Sequence, residues 1–207
     1  MIEAKEKSKK QVIIVAAAIL FNNMGYSATS MKDIAKSVGV KAASLYNHIN
    51  SKQEILKILL ITIAKKFLEG IIDVNNSSYS SKDKLREVIR MHIRIATKNQ
   101  NITALILQDW KHLEEPSLSE FKEIRNEYQE TLKKILKQGM DSGELKSTNL
   151  KITLNIILSS LRWIYDSKLY NNSQDVGLTE LERTIIELVF KGVDEKNYFP
   201  IKSRSVL

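Results

Sequence analysis

The sequence predicts an all-α fold. Two prolines and seven glycines in 207 residues leave long uninterrupted segments. Within those segments apolar residues recur at the 3.6-residue period of a helix. Capping signals fall where the periodic stretches begin and stop. With 43% hydrophobic and 27% charged residues, the chain has the balance of an ordinary globule with a sizeable core. The expected organisation is a three-helix N-terminal domain over residues 1–52, a connecting helix over 52–75 and a C-terminal helical domain over 76–207, about nine helices in all.

Residues 1–10 form a polar, lysine-rich lead-in. From Ser8 to Met24, Val12, Val15, Ala16, Ile19 and Leu20 follow helical spacing, and Gly25 ends the run. The stretch from Thr29 to Leu56, TSMKDIAKSVGVKAASLYNHINSKQEIL, is the most informative in the chain. Ser30 and Asp33 have the spacing of a capping box, and Ile34, Ala35 and Val38 follow as an apolar stripe. Gly39 can take the left-handed conformation that stops a helix, and a second short helix is expected from about Lys41 to Ile49. There Ala42, Leu45 and Ile49 share an inner face. Ala43, Ser44 and Asn47 lie opposite, with Lys41, Tyr46 and His48 at the edges. Two short helices around a glycine turn have the spacing of a helix-turn-helix, whose second helix enters a DNA major groove. Ser51 and Glu54 make another capping box, which opens the fourth helix.

This stretch resembles the DNA-binding domain of TetR-type (tetracycline-repressor-like) transcriptional regulators. The residues that carry the resemblance are Thr29, Ile34, Ala35, Gly39, Val40, Leu45, Tyr46, His48, Lys52, Ile55 and Leu56. Lys41 stands where serine is commoner, Ile49 where phenylalanine is usual, and Gln53 where an acidic residue is usual. The resemblance implies a homodimeric, ligand-responsive repressor of double-stranded operator DNA. On that reading Lys41, Ala42, Ala43 and Tyr46 reach the groove, with Ser44 on the same face. Thr29, Ser30, Asn47, His48 and Lys52 would contact phosphate. Two alanines in the groove leave little hydrogen-bonding readout, so thymine methyls and DNA shape should matter more. A ligand in the C-terminal domain would act by swinging the fourth helix.

The charge fits a polyanionic partner. The net is +8, and it is uneven. Residues 1–52 carry eight lysines against three acidic residues, a net of +5, while the other 155 residues carry 24 basic against 21 acidic, a net of +3. There is no cysteine, so disulfide and thiolate chemistry are excluded. No glycine-rich phosphate loop or paired carboxylate suggests an enzyme, and three scattered histidines suggest no metal site or cofactor. The longest apolar runs are too short to span a bilayer. No signal peptide is recognisable, and a cytoplasmic location without membrane contact is expected.

NNSSYSS at 75–81 is a turn-rich boundary. Further helices are expected over about Ser81–Lys98, Ile102–Leu113, Pro116–Met140, Asn149–Tyr170 and Thr179–Lys191. A turn at Asp141–Gly143 and a loop, NNSQDVG, separate the last three, and no internal repeat is visible. All seven arginines lie beyond residue 80, where their planar donors suit bidentate anion recognition. Arg86, Arg90 and Arg94 step along the fifth helix, either as a solvated face or as a mouth for a phosphorylated ligand. Arg125 projects into the apolar stripe Phe121, Ile124, Tyr128, Leu132, Ile135 and Leu136. A guanidinium there requires a partner, either Asp109 or Asp166 or else an anionic or carbonyl-bearing ligand. His92 similarly centres the apolar face of the fifth helix, as a core histidine or a ligand contact.

The eighth helix is apolar over most of its circumference, and the ninth has a second apolar face. Helices of that kind are buried on more than one side, which suggests a homodimer through helices 8 and 9, with Ser159 and Ser160 permitting close approach. Four short patterns are similar to the TetR subset whose effectors are acyl-CoA thioesters: Trp110-x2-Leu113, Arg125-x2-Tyr128, Gly139-x3-Gly143 and Arg162-Trp163. That similarity implies ligand contacts from Arg86, Arg90, His92, Arg125, Tyr128, Arg162 and Trp163, and an effector active in fatty acid metabolism. A lipophilic drug-like effector, or a dimer without any effector, are the alternatives.

Overall fold

The computed structural model describes residues 8–166 and 176–193. These residues form α1 (Lys9–Met24), α2 (Met31–Ser37), α3 (Ala42–Leu45), α4 (Lys52–Asn76), α5 (Ser81–Lys98), α6 (Gln100–Gln108), α7 (Ser117–Asp141), α8 (Leu150–Arg162) and α9 (Leu178–Val193). Two 3-10 turns, Asp109–His112 and Trp163–Tyr165, follow α6 and α8. No strand occurs among the described residues.

Local chemistry explains the boundaries. Ser8 and Gln11 close a capping box on α1, and Ser30 and Asp33 close one on α2. Gly39 sits at φ 71° between α2 and α3, a conformation in which a side chain would be strained. The third helix is shorter than the expected Lys41–Ile49. After Leu45 the backbone tightens: Asn47 N–H donates to Ser44 O and His48 N–H to Leu45 O. That tightening lets Ile49 drop into the core with no exposed surface. At α4, Ser51 accepts from the Glu54 N–H. Glu54 does not close the expected box, because its carboxylate takes the Asn50 N–H and the Lys10 ammonium instead.

Two apolar cores are threaded by α4. Its first half buries Ile55, Leu56, Leu59 and Leu60 with Phe21, Ile34, Leu45 and Ile49 of the N-terminal helices. Leu105, Leu113, Phe121 and Ile124 from beyond the connector complete the same core. Its second half buries Ile63, Phe67 and Ile71 against α5, α7, α8 and α9. Each fully buried leucine or isoleucine is worth about 1.5–3 kcal/mol, so the N-terminal helices are held firmly on α4 and α7. The expected continuous helix over 102–113 is replaced by α6 and its 3-10 turn. Likewise α8 gives way at Trp163 to a turn that buries Ile164 and Tyr165. The part of the expected eighth helix beyond 166 lies outside the described residues, as do most of the following loop and the tail.

Candidate DNA-reading head and effector cavity

The sequence-predicted DNA contacts divide into an outward and an inward set. Ser30, Lys41, Ala43, Ser44, Tyr46 and Asn47 are exposed, and Ala42 and His48 are half-buried. Tyr46 is 51% exposed, so its ring is free to enter a groove. Thr29 is different. It is buried, and its hydroxyl donates to Gly25 O at 2.9 Å. Its side chain therefore shapes the turn before α2 and has no surface for phosphate. Lys52 also faces inward. Its ammonium donates to Tyr26 O and Thr29 O, both at 2.8 Å, and sits 4.3 Å from the Tyr26 ring centroid. Its hydrogen-bonding capacity is thus largely spent on the carbonyls of one turn, where the sequence suggested a phosphate contact.

That turn is tied to the C-terminal half. His112 stacks on Tyr26 with centroids 5.2 Å apart. Gln53 Nε2 donates to His112 O at 2.6 Å, and Asn22 Nδ2 donates to Asn101 Oδ1 at 3.1 Å. The Tyr26 N–H hydrogen-bonds the Asp109 carboxylate. Burial nevertheless pushes that carboxyl above its ordinary range. The 3-10 turn Asp109–His112 therefore meets the reading head directly, so α4 is not the sole connection that the sequence suggested.

Behind the same turn lies a cavity of about 210 Å³, many times the roughly 10–15 Å³ that one water requires. Ala64, Phe67, Ile106, Leu107, Ile124 and Leu158 give it apolar walls, with Trp110 and Phe121 stacked at one side. Its polar lining is His92, Tyr128, Tyr165, Gln129, Arg125 and Arg162, with no carboxylate. His92 is fully buried, and both ring nitrogens are engaged: Nδ1 with Tyr128 Oη at 2.9 Å and Nε2 with Tyr165 Oη at 2.6 Å. Burial, aided by the Arg162 charge, pulls its pKa down to about 3, so the ring is neutral at ordinary pH. Burial pushes both phenols upward, so they too are neutral.

Arg125 lies 5.7 Å from the Trp110 ring centroid. Burial and the like charge of Arg162 both lower its pKa. Among the described residues neither Arg125 nor Arg162 is ion-paired. Neither of the carboxylates proposed from sequence, Asp109 and Asp166, meets Arg125.

Three expected ligand residues lie elsewhere. Arg86 pairs with Asp83 at 2.6 Å and covers the Phe190 ring, while Arg90 pairs with Glu87. Arg94, from the same stripe, binds Glu182 and so fastens α5 to α9. Arg86 and Arg94 thus meet α9, while His92 on another face of α5 lines the cavity. Trp163 packs against the C-terminal core and does not line the cavity. Phe67, Trp110, Gln129 and Tyr165 were not anticipated. A signal for Tyr165 existed, since a buried histidine and tyrosine on facing apolar stripes need a further polar partner.

A family model described as "Bacterial regulatory proteins, tetR family" matches residues 13–59. A second, "Tetracyclin repressor-like, C-terminal domain", matches residues 78–193, more than half of the chain. The chain belongs to the TetR family. Among TetR relatives, the fatty acid metabolism regulator protein of Bacillus subtilis (strain 168) is 24% identical over 93% of this chain and 100% of its own length. The negative transcriptional regulator IcaR of the biofilm operon icaADBC, from Staphylococcus aureus (strain Newman), is 34% identical over 64% of this chain and 76% of its own. The crystal structure of AibR in complex with isovaleryl coenzyme A and operator DNA shares the fold, with a TM-score of 0.75 at 20% identity over 88% of this chain and 98% of that one. Among the described residues of this TetR chain, no helix is long and apolar enough to cross a membrane.

Proposed function

We propose that the protein is a homodimeric repressor that releases a palindromic operator when an acyl-CoA fills the cavity behind the Asp109–His112 turn. The observation that carries this reading is an apolar cavity edged by two guanidinium groups, neither of which has a carboxylate partner among the described residues. An unpaired half-buried cation such as Arg125 is costly, and an anionic ligand supplies the missing charge. An acyl chain suits the aliphatic walls, and a CoA phosphate suits the exposed Arg162 at the edge. A lipophilic cation would meet two like charges and no carboxylate.

The relatives lean the same way, since one is a fatty acid metabolism regulator, one is a negative regulator, and AibR is solved with an acyl-CoA and operator DNA. Lys41, Ala42, Ala43 and Tyr46 are the proposed groove contacts. Ser30, Ser44, Asn47 and His48 are the proposed contacts around them. Two heads would read half-sites about 34–36 Å apart.

The test is thermal unfolding against acyl-CoAs of graded chain length, with free CoA as control. An acyl-CoA at a hundred times its Kd should stabilise the fold by about 2.7 kcal/mol, or several degrees in Tm. No shift with any acyl-CoA, alongside stabilisation by lipophilic cations, would sink the reading.

A further inference from the structure

His92 has two phenols and only one proton to share between them. A neutral imidazole donates from one nitrogen and accepts at the other, so one tyrosine receives a hydrogen bond from the ring and the other gives one to it. Both ring nitrogens are within bonding distance of a phenol, Nδ1 of Tyr128 Oη at 2.9 Å and Nε2 of Tyr165 Oη at 2.6 Å. The tautomer that carries its proton on Nδ1 donates to Tyr128 and accepts from Tyr165. In that tautomer Tyr165 spends its proton on His92, and Tyr128 keeps its own. Among the described residues the Tyr128 hydroxyl makes no other hydrogen bond. Its residue lines the cavity, three positions along α7 from Arg125, which lines it too. Residues at that spacing share a helix face, so two donors, one neutral and one charged, converge on the same space.

We propose that the Tyr128 O–H, with Arg125 beside it, receives the carbonyl oxygen of the effector's acyl group. The protein then distinguishes an acyl thioester from an alkyl thioether of equal length. This rests on the acyl-CoA reading above, but the same donor pair fits the oxygen of a free carboxylate. His92 and Tyr165 act through Tyr128: they fix the direction of its proton and do not touch the ligand's oxygen.

The experiment compares three probes on the full-length protein by calorimetric titration: an acyl-CoA, the S-alkyl-CoA thioether of matched length, and the corresponding free carboxylate. Wild-type protein should bind the thioester about tenfold more tightly than the thioether, as for one buried hydrogen bond. In Tyr128→Phe the ratio should shrink severalfold, to what Arg125 alone supplies, with thioether affinity unchanged, which also shows that the variant folds. Tyr165→Phe should keep a preference for the thioester. Equal binding of the two CoA compounds by wild type, or a preference undiminished in Tyr128→Phe, would overturn the assignment while leaving the acyl-CoA reading intact. If only the carboxylate binds, the acyl-CoA reading fails. The oxygen assignment then stands if Tyr128→Phe weakens the carboxylate about tenfold and falls if it does not. If no probe binds, both fall.

Discussion

A neutral imidazole at position 92 ties acid stability to the effector cavity. In the unfolded chain this group titrates at its ordinary 6.5; in the fold it titrates at about 3. As pH falls through 6.5 the unfolded state takes up the proton first. Stability is therefore full above 6.5 and is lost progressively as pH falls towards 3. At pH 5.5 the loss from this side chain is about 1.4 kcal/mol. His92→Gln, which can still bond both phenols, should show a correspondingly smaller drop in urea-unfolding free energy between pH 8 and 5.5. An equal drop in both proteins would show that His92 titrates normally.

Lys52 gives a second test at the same scale. Lys52→Met keeps the aliphatic stem and removes the ammonium from the Tyr26 and Thr29 carbonyls. Stability should fall by about 1–3 kcal/mol, and operator affinity should weaken with an unchanged salt slope. A slope reduced by about one would place the ammonium on a phosphate after all. Lys52 was legible as important from its place in the motif. The direction of its side chain was not, because two carbonyls brought together by a turn leave no mark in the local pattern. Arg125 and His92 were legible for the opposite reason. Polar groups centred on apolar stripes announce an unmet need wherever the helix packs.

Among the elements, the 3-10 turn Asp109–His112 joins what the sequence kept apart. Apolar spacing continues from Ile102 to Leu113, so periodicity alone predicts one helix. The backbone instead tightens at Asp109, whose carboxylate meets the Tyr26 N–H, and Trp110 turns to the cavity while His112 stacks on Tyr26. One short turn thus touches both the cavity and the reading head. If it carries the effector signal, His112→Ala should leave ligand affinity within about twofold of wild type and reduce ligand-driven operator release. A coupling of about 1–3 kcal/mol would be at stake, or 5–150-fold in operator affinity. Undiminished release would assign the signal to α4 alone. The third helix teaches the same lesson. Its apolar face was readable, but its end was set by the need to bury Ile49, which is a demand of the core.

For the whole molecule, the excess positive charge and the most exposed aliphatic side chains lie in different parts of the chain. Residues 1–52 carry most of the net charge, which would draw them to phosphate. In the C-terminal half, α8 leaves Ile152 and Ile156 exposed at 58% and 63%, with the small Ser159 on the same face, and α9 leaves Leu188 exposed at 65%. The helix-8 and helix-9 dimer proposed from the sequence would cover this surface, and a two-fold axis would bring the same patch against itself. Each isoleucine so buried is worth about 1.5–3 kcal/mol, and it is counted twice because both subunits contribute it. Ile156→Asp should therefore shift the protein to monomer in sedimentation at micromolar concentration. The monomer should keep its fold, since the replaced side chain lies outside both cores. Operator affinity should collapse with it, because one head alone reads half a site. Val15→Asp is the control: that residue is also exposed, at 45%, but on α1, and it should leave the dimer intact. A dimer that survives Ile156→Asp would place the subunit interface on another face of the molecule.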